Sequence, residues 1–196
     1  MAATQPIRNK HQVRELANYY LRKGQLRNYT LVVLGVYTGL RISDLLRLRW
    51  EDVYDFANRR VLSSISITEK KTKKSKTLAL NLSVVGALTQ LANLHAEKGR
   101  FLIENPRTGK AISRIQAYRL IRAAAEALGF QHRVSCHSLR KTFGYFTWKS
   151  GTSPVVIMEI YNHSSLAVTR RYLGITQDDK DAVYLGLDFM TATQSA

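Results

Sequence analysis

Cysteine is almost missing from this chain: Cys136 is the only one in 196 residues, so no internal disulfide can form. That excludes the small oxidised scaffolds and fits a reducing cytoplasm. Only three prolines interrupt it, and no low-complexity run, internal repeat or linker is present. Long apolar runs are missing too. The most apolar stretch, Leu31 to Leu40, is far too short to span a bilayer, and the polar, basic N-terminus is not a secretory signal. Acidic residues are scarce, 14 against 30 lysines and arginines, which leaves a net charge of +16. So much charge on a small domain points to a polyanionic partner. An anionic membrane would answer the charge, but no lipidation motif or long basic amphipathic helix accompanies it.

What is present reads as one folded domain over residues 1–196. The apolar fraction of 45% suffices for a core. A helix is expected from Lys10 to Lys23, stopped at Gly24, and a second, apolar on most faces, from Leu26 to Thr38. Ser43 can cap a short helix running to Leu48. The period then changes. Val61–Thr68 and Lys76–Leu80 alternate as strands around a lysine-rich tip, and Asp52–Tyr54 offers a third strand. Helices resume from Ser83 to Gly99 and from Ser113 to Gly129, with Ile115, Tyr118, Ile121, Ala125 and Leu128 on one face. Leu139, Phe143 and Phe146 recur at helical spacing after Cys136. Ser153-Pro154 opens a helix to Tyr161, and a shorter one holds Leu166 to Tyr172. Thr176 and Asp179 begin a tail helix. The fold class is mainly α with a small antiparallel β-sheet (α+β).

The chemistry concentrates in a few places. Arg41 follows the apolar helix in Tyr37-Thr38-Gly39-Leu40-Arg41-Ile42-Ser43-Asp44, and His137 and Arg140 share a helical face in His137-Ser138-Leu139-Arg140. A transferring phosphoryl group gathers negative charge on its non-bridging oxygens, and the planar guanidinium fork donates to two oxygens at once. Five lysines fall within residues 70–76, a run that contacts phosphates when DNA is near. His132, Cys136 and His137 match no zinc spacing. The residues by themselves do not single out Tyr172 over Tyr161 or Tyr145. They also leave His163 open as a structural histidine, and Asp44 as mere support for its helix.

In order and spacing these segments resemble the tyrosine recombinase, or phage integrase-like, family. The first box reads Thr38-Gly39-Leu40-Arg41-Ile42-Ser43-Asp44. The second reads His137-Ser138-Leu139-Arg140-Lys141-Thr142-Phe143. The third reads Asn162-His163 and then Thr169-Arg170-Arg171-Tyr172-Leu173, and the resemblance covers Arg8 to Leu173. It implies the DNA breaking-rejoining catalytic fold, with Arg41 and Arg140 clamping the scissile phosphate. Tyr172 would be the nucleophile that forms a 3′-phosphotyrosyl bond, and His137 and His163 would bind phosphate and handle protons. A hairpin lysine, aligned as Lys71, would protonate the leaving 5′ oxygen, and Lys70, Lys73 and Lys74 stand beside it. Asp44 would orient the arginines. Lys70, Lys73, Lys74, Lys141 and Arg171 would contact DNA. The partners implied are double-stranded DNA and further copies of the chain, a monomer in solution assembling as a tetramer on DNA, with accessory DNA-bending proteins possible. No cofactor, ATP or metal is called for.

Two departures stand out. The family's third box commonly has Leu-Gly-His where this chain has Tyr161-Asn162-His163, so the glycine turn is missing. The N-terminal DNA-clamping and arm-binding domains of most integrases are also not expected here, which leaves either a naturally short recombinase or part of a longer one. A DNA-binding regulator of the same fold, or a topoisomerase IB-like relaxing activity, remains open beside the recombinase. The tail residues Ala182, Val183, Leu185 and Leu187 would dock on a neighbouring protomer or on their own domain.

Overall fold

Helix α2 (Leu26–Tyr37) organises the molecule, as its apolar composition requires. In the computed structural model, which describes residues 4–187, Leu31, Val32, Val33, Leu34 and Val36 of this helix are all buried. It packs against α1 (Lys10–Leu21), α4 (Leu82–His95) and α6 (Cys136–Lys149). The side chain of Asn9 caps α1, and the Tyr20 hydroxyl donates to the carbonyl of Leu120 at 2.6 Å. That bond ties α1 to α5 (Arg114–Ala127), whose start Ser113 and Gln116 close as a capping box. Helix α3 (Ile42–Leu45) follows α2 directly and has Arg41 as its N-cap, so Ser43 lies inside the helix rather than capping it. Likewise Asn81, not Ser83, caps α4, because its side chain accepts from the Val84 N–H at 3.0 Å. That helix stops at His95, short of Gly99.

The β structure is three separate two-stranded antiparallel ribbons rather than one sheet. The expected third strand pairs elsewhere: β1 (Tyr54–Asp55) takes β2 (Arg60–Val61) as its partner, which removes Val61 from the lysine hairpin. The hairpin itself is β3 (Ser64–Thr68) with β4 (Ser75–Ala79), in register from Ser64 opposite Ala79 to Thr68 opposite Ser75. Residues 69–74 form its tip. Asn105-Pro106 and Thr108-Gly109 turn a last ribbon, β5 (Glu104–Asn105) with β6 (Lys110–Ala111). On α5 the buried positions are Ala117, Ile121, Ala124 and Ala125, and Ile115 is exposed, so the apolar stripe is narrower than the spacing predicts.

The C-terminal part is built by α6, α7 (Pro154–Tyr161) and α8 (Leu166–Leu173), which meet around Ile157, Tyr161 and Leu173. An N-terminal segment runs across this group. Pro6 and Ile7 are buried, the Ile7 N–H donates to Thr142 Oγ1 at 2.9 Å, and Arg8 donates to the Gly174 carbonyl at 2.8 Å. Helix α9 (Gln177–Leu185) opens with Thr176 and Asp179 as a capping box, and Lys149 pairs with Asp179 at 2.5 Å. Its Val183, Tyr184 and Leu185, and Leu187 beyond it, stay exposed. Among the described residues no helix is long and apolar enough to cross a membrane.

Leu34 lies at the middle of α2 without exposed surface. Leu34→Ala should cost about 2–5 kcal/mol of stability by leaving a cavity there. Chemical denaturation would measure it, and an unchanged midpoint would contradict the central place given to α2.

Candidate active site

A cleft of about 1550 Å³ opens beside α6 and brings together residues distant in sequence: Arg41, Lys70, Lys71, His137, Arg140 and Tyr172. The two arginines reach it from rigid elements. Arg41 stands at the start of α3, and its Nη2 donates to the Tyr161 carbonyl at 3.3 Å. Arg140, on α6, is 2% exposed and donates through Nη2 to that same carbonyl at 3.1 Å and through Nη1 to the Gly39 carbonyl. One backbone oxygen therefore holds both forks. Gly39 can present its carbonyl because it has φ +59 and no Cβ. A Cβ there would meet Phe143 at 2.7 Å and Tyr161 at 3.0 Å.

Tyr172, half-buried on α8, faces the cleft between two imidazoles. Its ring centroid lies 4.9 Å from that of His137 and 4.6 Å from that of His163, with the Arg140 guanidinium carbon 5.7 Å away. Tyr161 is excluded from such a role by its surroundings. It has no exposed surface, its hydroxyl donates to the Arg140 carbonyl at 2.5 Å, and burial pushes its pKa up. Tyr145 packs on Phe146 and Trp148 and does not line the cleft. The geometry thus separates three tyrosines that residue type alone left equal.

Asn162 takes the place of the missing glycine. It ends α7 with φ 52 and ψ 43, the left-handed region that asparagine tolerates best after glycine, so the turn into His163 is kept. His163 Nδ1 lies 3.0 Å from Thr169 Oγ1, which fixes the ring. Its pKa is lowered to about 4, first by loss of water around it and then by Arg140 and Arg41. His137 keeps an exposed side toward the cleft, yet it is also held down to about 4, by desolvation and then by Lys141, Arg140 and Arg41. Both imidazoles are neutral at pH 7.

The lysines divide. Lys70 and Lys71 are exposed on the hairpin tip and line the cleft, while Lys73 and Lys74 are exposed on the same tip without lining it. Arg171 is exposed on α8 and does not line it either. Lys141 differs from its expected role as a DNA contact. It is buried, because the N-terminal segment covers it, and its ammonium donates to the Thr4 carbonyl at 2.7 Å. Asp44 also differs. Its carboxylate accepts from the Lys70 N–H at 2.9 Å and so fixes the hairpin, and the acid on Arg41 is Glu69, at 2.5 Å. Glu69 was not legible in the sequence, because it opens a lysine run that reads as a solvated turn, nor was its partner Lys76, 3.1 Å away, which reads only as the first residue of a strand. The cleft wall adds Lys110, Arg114 and Arg133, with Tyr118 held by Arg133 at 2.7 Å. A turn signal followed by basic residues at a helix start was the only hint of them.

Known proteins resemble this chain in sequence and in fold. The sequence profile described as the phage integrase family matches residues 8–178. The chain is 36% identical over 184 residues to the Bacillus subtilis protein named "Probable integrase/recombinase YoeC", covering 94% of this chain and 97% of that one. In fold it is similar to the crystal structure of XerA recombinase (TM-score 0.77, 23% identity, 94% of this chain and 66% of that chain). It is similar also to XerH site-specific recombinase bound to its palindromic difH substrate in a post-cleavage complex (TM-score 0.74, 18% identity, 94% and 55%).

The lowered imidazoles carry a sign. Between about 4 and 6.5 the unfolded chain binds protons that the native histidines refuse, so His163 contributes fully to stability above 6.5 and progressively less as pH falls toward 4. Wild type should therefore lose stability relative to His163→Gln as pH falls through that window, with a constant difference above it. Denaturant titration of both proteins from pH 4 to pH 8 checks this. A difference independent of pH would contradict the neutral imidazole.

Proposed function

The chain belongs to the phage integrase family, and from that membership we propose that it is a site-specific recombinase that cuts and rejoins DNA strands through Tyr172. The observation that carries the reading is the Tyr172 ring set between His137 and His163 at the edge of a cleft into which two carbonyl-held arginines open.

In this reading a phosphodiester enters the cleft and its non-bridging oxygens take the free donors of Arg41 and Arg140. Preorganised cations of this kind stabilise the charge that builds at phosphorus, and a water-poor setting strengthens them. The Tyr172 oxygen attacks phosphorus and its proton passes to a neutral imidazole, His137 being the more open of the two. The bond from phosphorus to the 5′ oxygen breaks, and Lys71 supplies the proton that this oxygen takes. The new phosphotyrosyl ester conserves the broken linkage, so attack by another 5′ hydroxyl reverses the steps and rejoins a strand. The arriving anion favours protonated imidazole, so DNA binding takes up protons below neutrality.

Flanking duplex would lie along Lys110, Arg114 and Arg133 and against the hairpin lysines, which makes affinity fall steeply with salt. Assembly of several copies on DNA is supported by α9. Among the described residues nothing covers its Val183, Tyr184 and Leu185, a surface suited to a neighbouring protomer.

A library of duplexes with a randomised core and an adjacent nick provides the test. The nick lets the short fragment beyond the cleavage point diffuse away, which traps the intermediate. Wild type should yield a covalent protein–DNA band on a denaturing gel, and Tyr172→Phe should yield none. A band that persists in Tyr172→Phe would name the wrong tyrosine. Shifted complexes on a native gel with no covalent band would favour a binding module.

A further inference from the structure

Glu69 is fully buried, yet the chemistry outlined above gives it nothing to do. It stands where β3 ends and the lysine-bearing tip begins. One carboxylate oxygen accepts from Arg41 at 2.5 Å and from the Thr72 hydroxyl at 2.7 Å, and the other lies 3.1 Å from the Lys76 ammonium. Burial would raise its pKa, but Thr72, Lys76 and Arg41 together outweigh that and bring it down to about 2, so it is a permanent anion. Among the described residues it is the only acid paired with Arg41 or Lys76, and Arg140 has no acid partner.

Ionised groups lose several kcal/mol of hydration on burial, and apolar side chains of similar volume would hold the fold equally well. What the pairing supplies is direction. Arg41 is held through Nη1 by Glu69 and through Nη2 by the Tyr161 carbonyl, and in that grip it lines the cleft. Lys76 donates to the Ile160 carbonyl at 2.9 Å, one residue before the carbonyl that holds both arginines. The backbone of Glu69 also closes the tip: its N–H donates to the Lys74 carbonyl at 3.0 Å, and its carbonyl accepts from the Lys73 N–H at 2.9 Å. Lys71 sits inside that closed turn. A single side chain therefore holds Arg41 directly and the turn that carries Lys71 through the Thr72 hydroxyl, while its backbone closes the same turn.

We propose that Glu69 is a positioning residue for strand transfer, holding the Arg41 fork and the Lys71 turn in one frame so that phosphate binding and leaving-group protonation are aligned together. This rests on the strand-transfer reading. Glu69 touches neither the nucleophile nor the open cleft, so its effect falls on rate and not on DNA capture.

The test uses the full chain and a nicked duplex recovered by covalent capture. The scissile 5′ position carries oxygen in one version and sulfur in the other. A thiolate departs without a proton, so the sulfur version bypasses Lys71 and leaves the demand on Arg41. At saturating DNA, Glu69→Gln should cleave the oxygen substrate roughly 100-fold more slowly, the scale of a small misplacement of a reacting group. DNA affinity should stay equal or rise, since a negative charge is gone. The sulfur substrate should recover part of the loss. Should Glu69→Gln unfold, the double variant Glu69→Gln/Lys76→Met removes both charges and keeps the volume, and it should fold with the same cleavage defect. A wild-type rate in a folded variant, or a loss confined to DNA binding, would overturn the proposal. Complete recovery with sulfur would overturn the shared frame by leaving only Lys71, and no recovery would overturn it by leaving only Arg41. A wild-type protein that forms no covalent complex overturns the strand-transfer reading and this inference with it, whereas a wild-type complex beside an unimpaired Glu69→Gln overturns the inference alone.

Discussion

The carbonyl oxygen of Tyr161 is the point on which the site depends. Two guanidinium groups, from α3 and α6, donate to it and so sit side by side although both are cations. Nothing would hold them together in isolation. Like charges at close range in a partly dry environment repel, and the repulsion must be offset by fixed acceptors. The carbonyls of Tyr161 and Gly39 are such acceptors, and Glu69 supplies the counter-charge.

That requirement propagates outward. Tyr161 can present its carbonyl because its ring is buried against Phe143 and under Arg140, whose guanidinium carbon lies 4.1 Å from the ring centroid. Its hydroxyl in turn holds the backbone of α6 at Arg140. The left-handed Asn162 then turns the chain so that His163 faces Tyr172. A change at the carbonyl would thus disturb Arg41, Arg140, His163 and Tyr172 together, which is why no one of them can be read as an independent contact.

Much of this was legible in the sequence because the signals are local. Ser113, Ser153-Pro154 and Thr176 with Asp179 each announce a helix start by capping chemistry, and the structure starts helices there. The clustering of Arg41, His137, Arg140, His163 and Tyr172 was legible through the resemblance, not through composition. What stayed hidden are relations across long separations. Glu69 in a lysine run reads as a solvated turn, yet Arg41, 28 residues away, and Lys76 draw it into the interior. The resemblance made Asp44 the acid that orients the arginines, and it serves the hairpin backbone instead. Lys141 lies beside the catalytic-type residues, but the N-terminal segment covers it and its ammonium turns to Thr4. Burial also separates Tyr161 from Tyr172, a distinction no pattern of residue types contains.

The central claim is that the phosphate is transferred to Tyr172, and the most direct measurement is to find where the DNA is attached. Covalent complexes trapped with a nicked duplex can be digested with nuclease and trypsin, and the nucleotide-bearing peptide sequenced by mass spectrometry. Cleavage after Arg171 and Lys180 yields a peptide spanning residues 172–180. The account predicts the nucleotide on Tyr172 at the head of that peptide, with the DNA joined through its 3′ phosphate. A nucleotide on Tyr161 or Tyr145, or one joined through a 5′ phosphate, would contradict it.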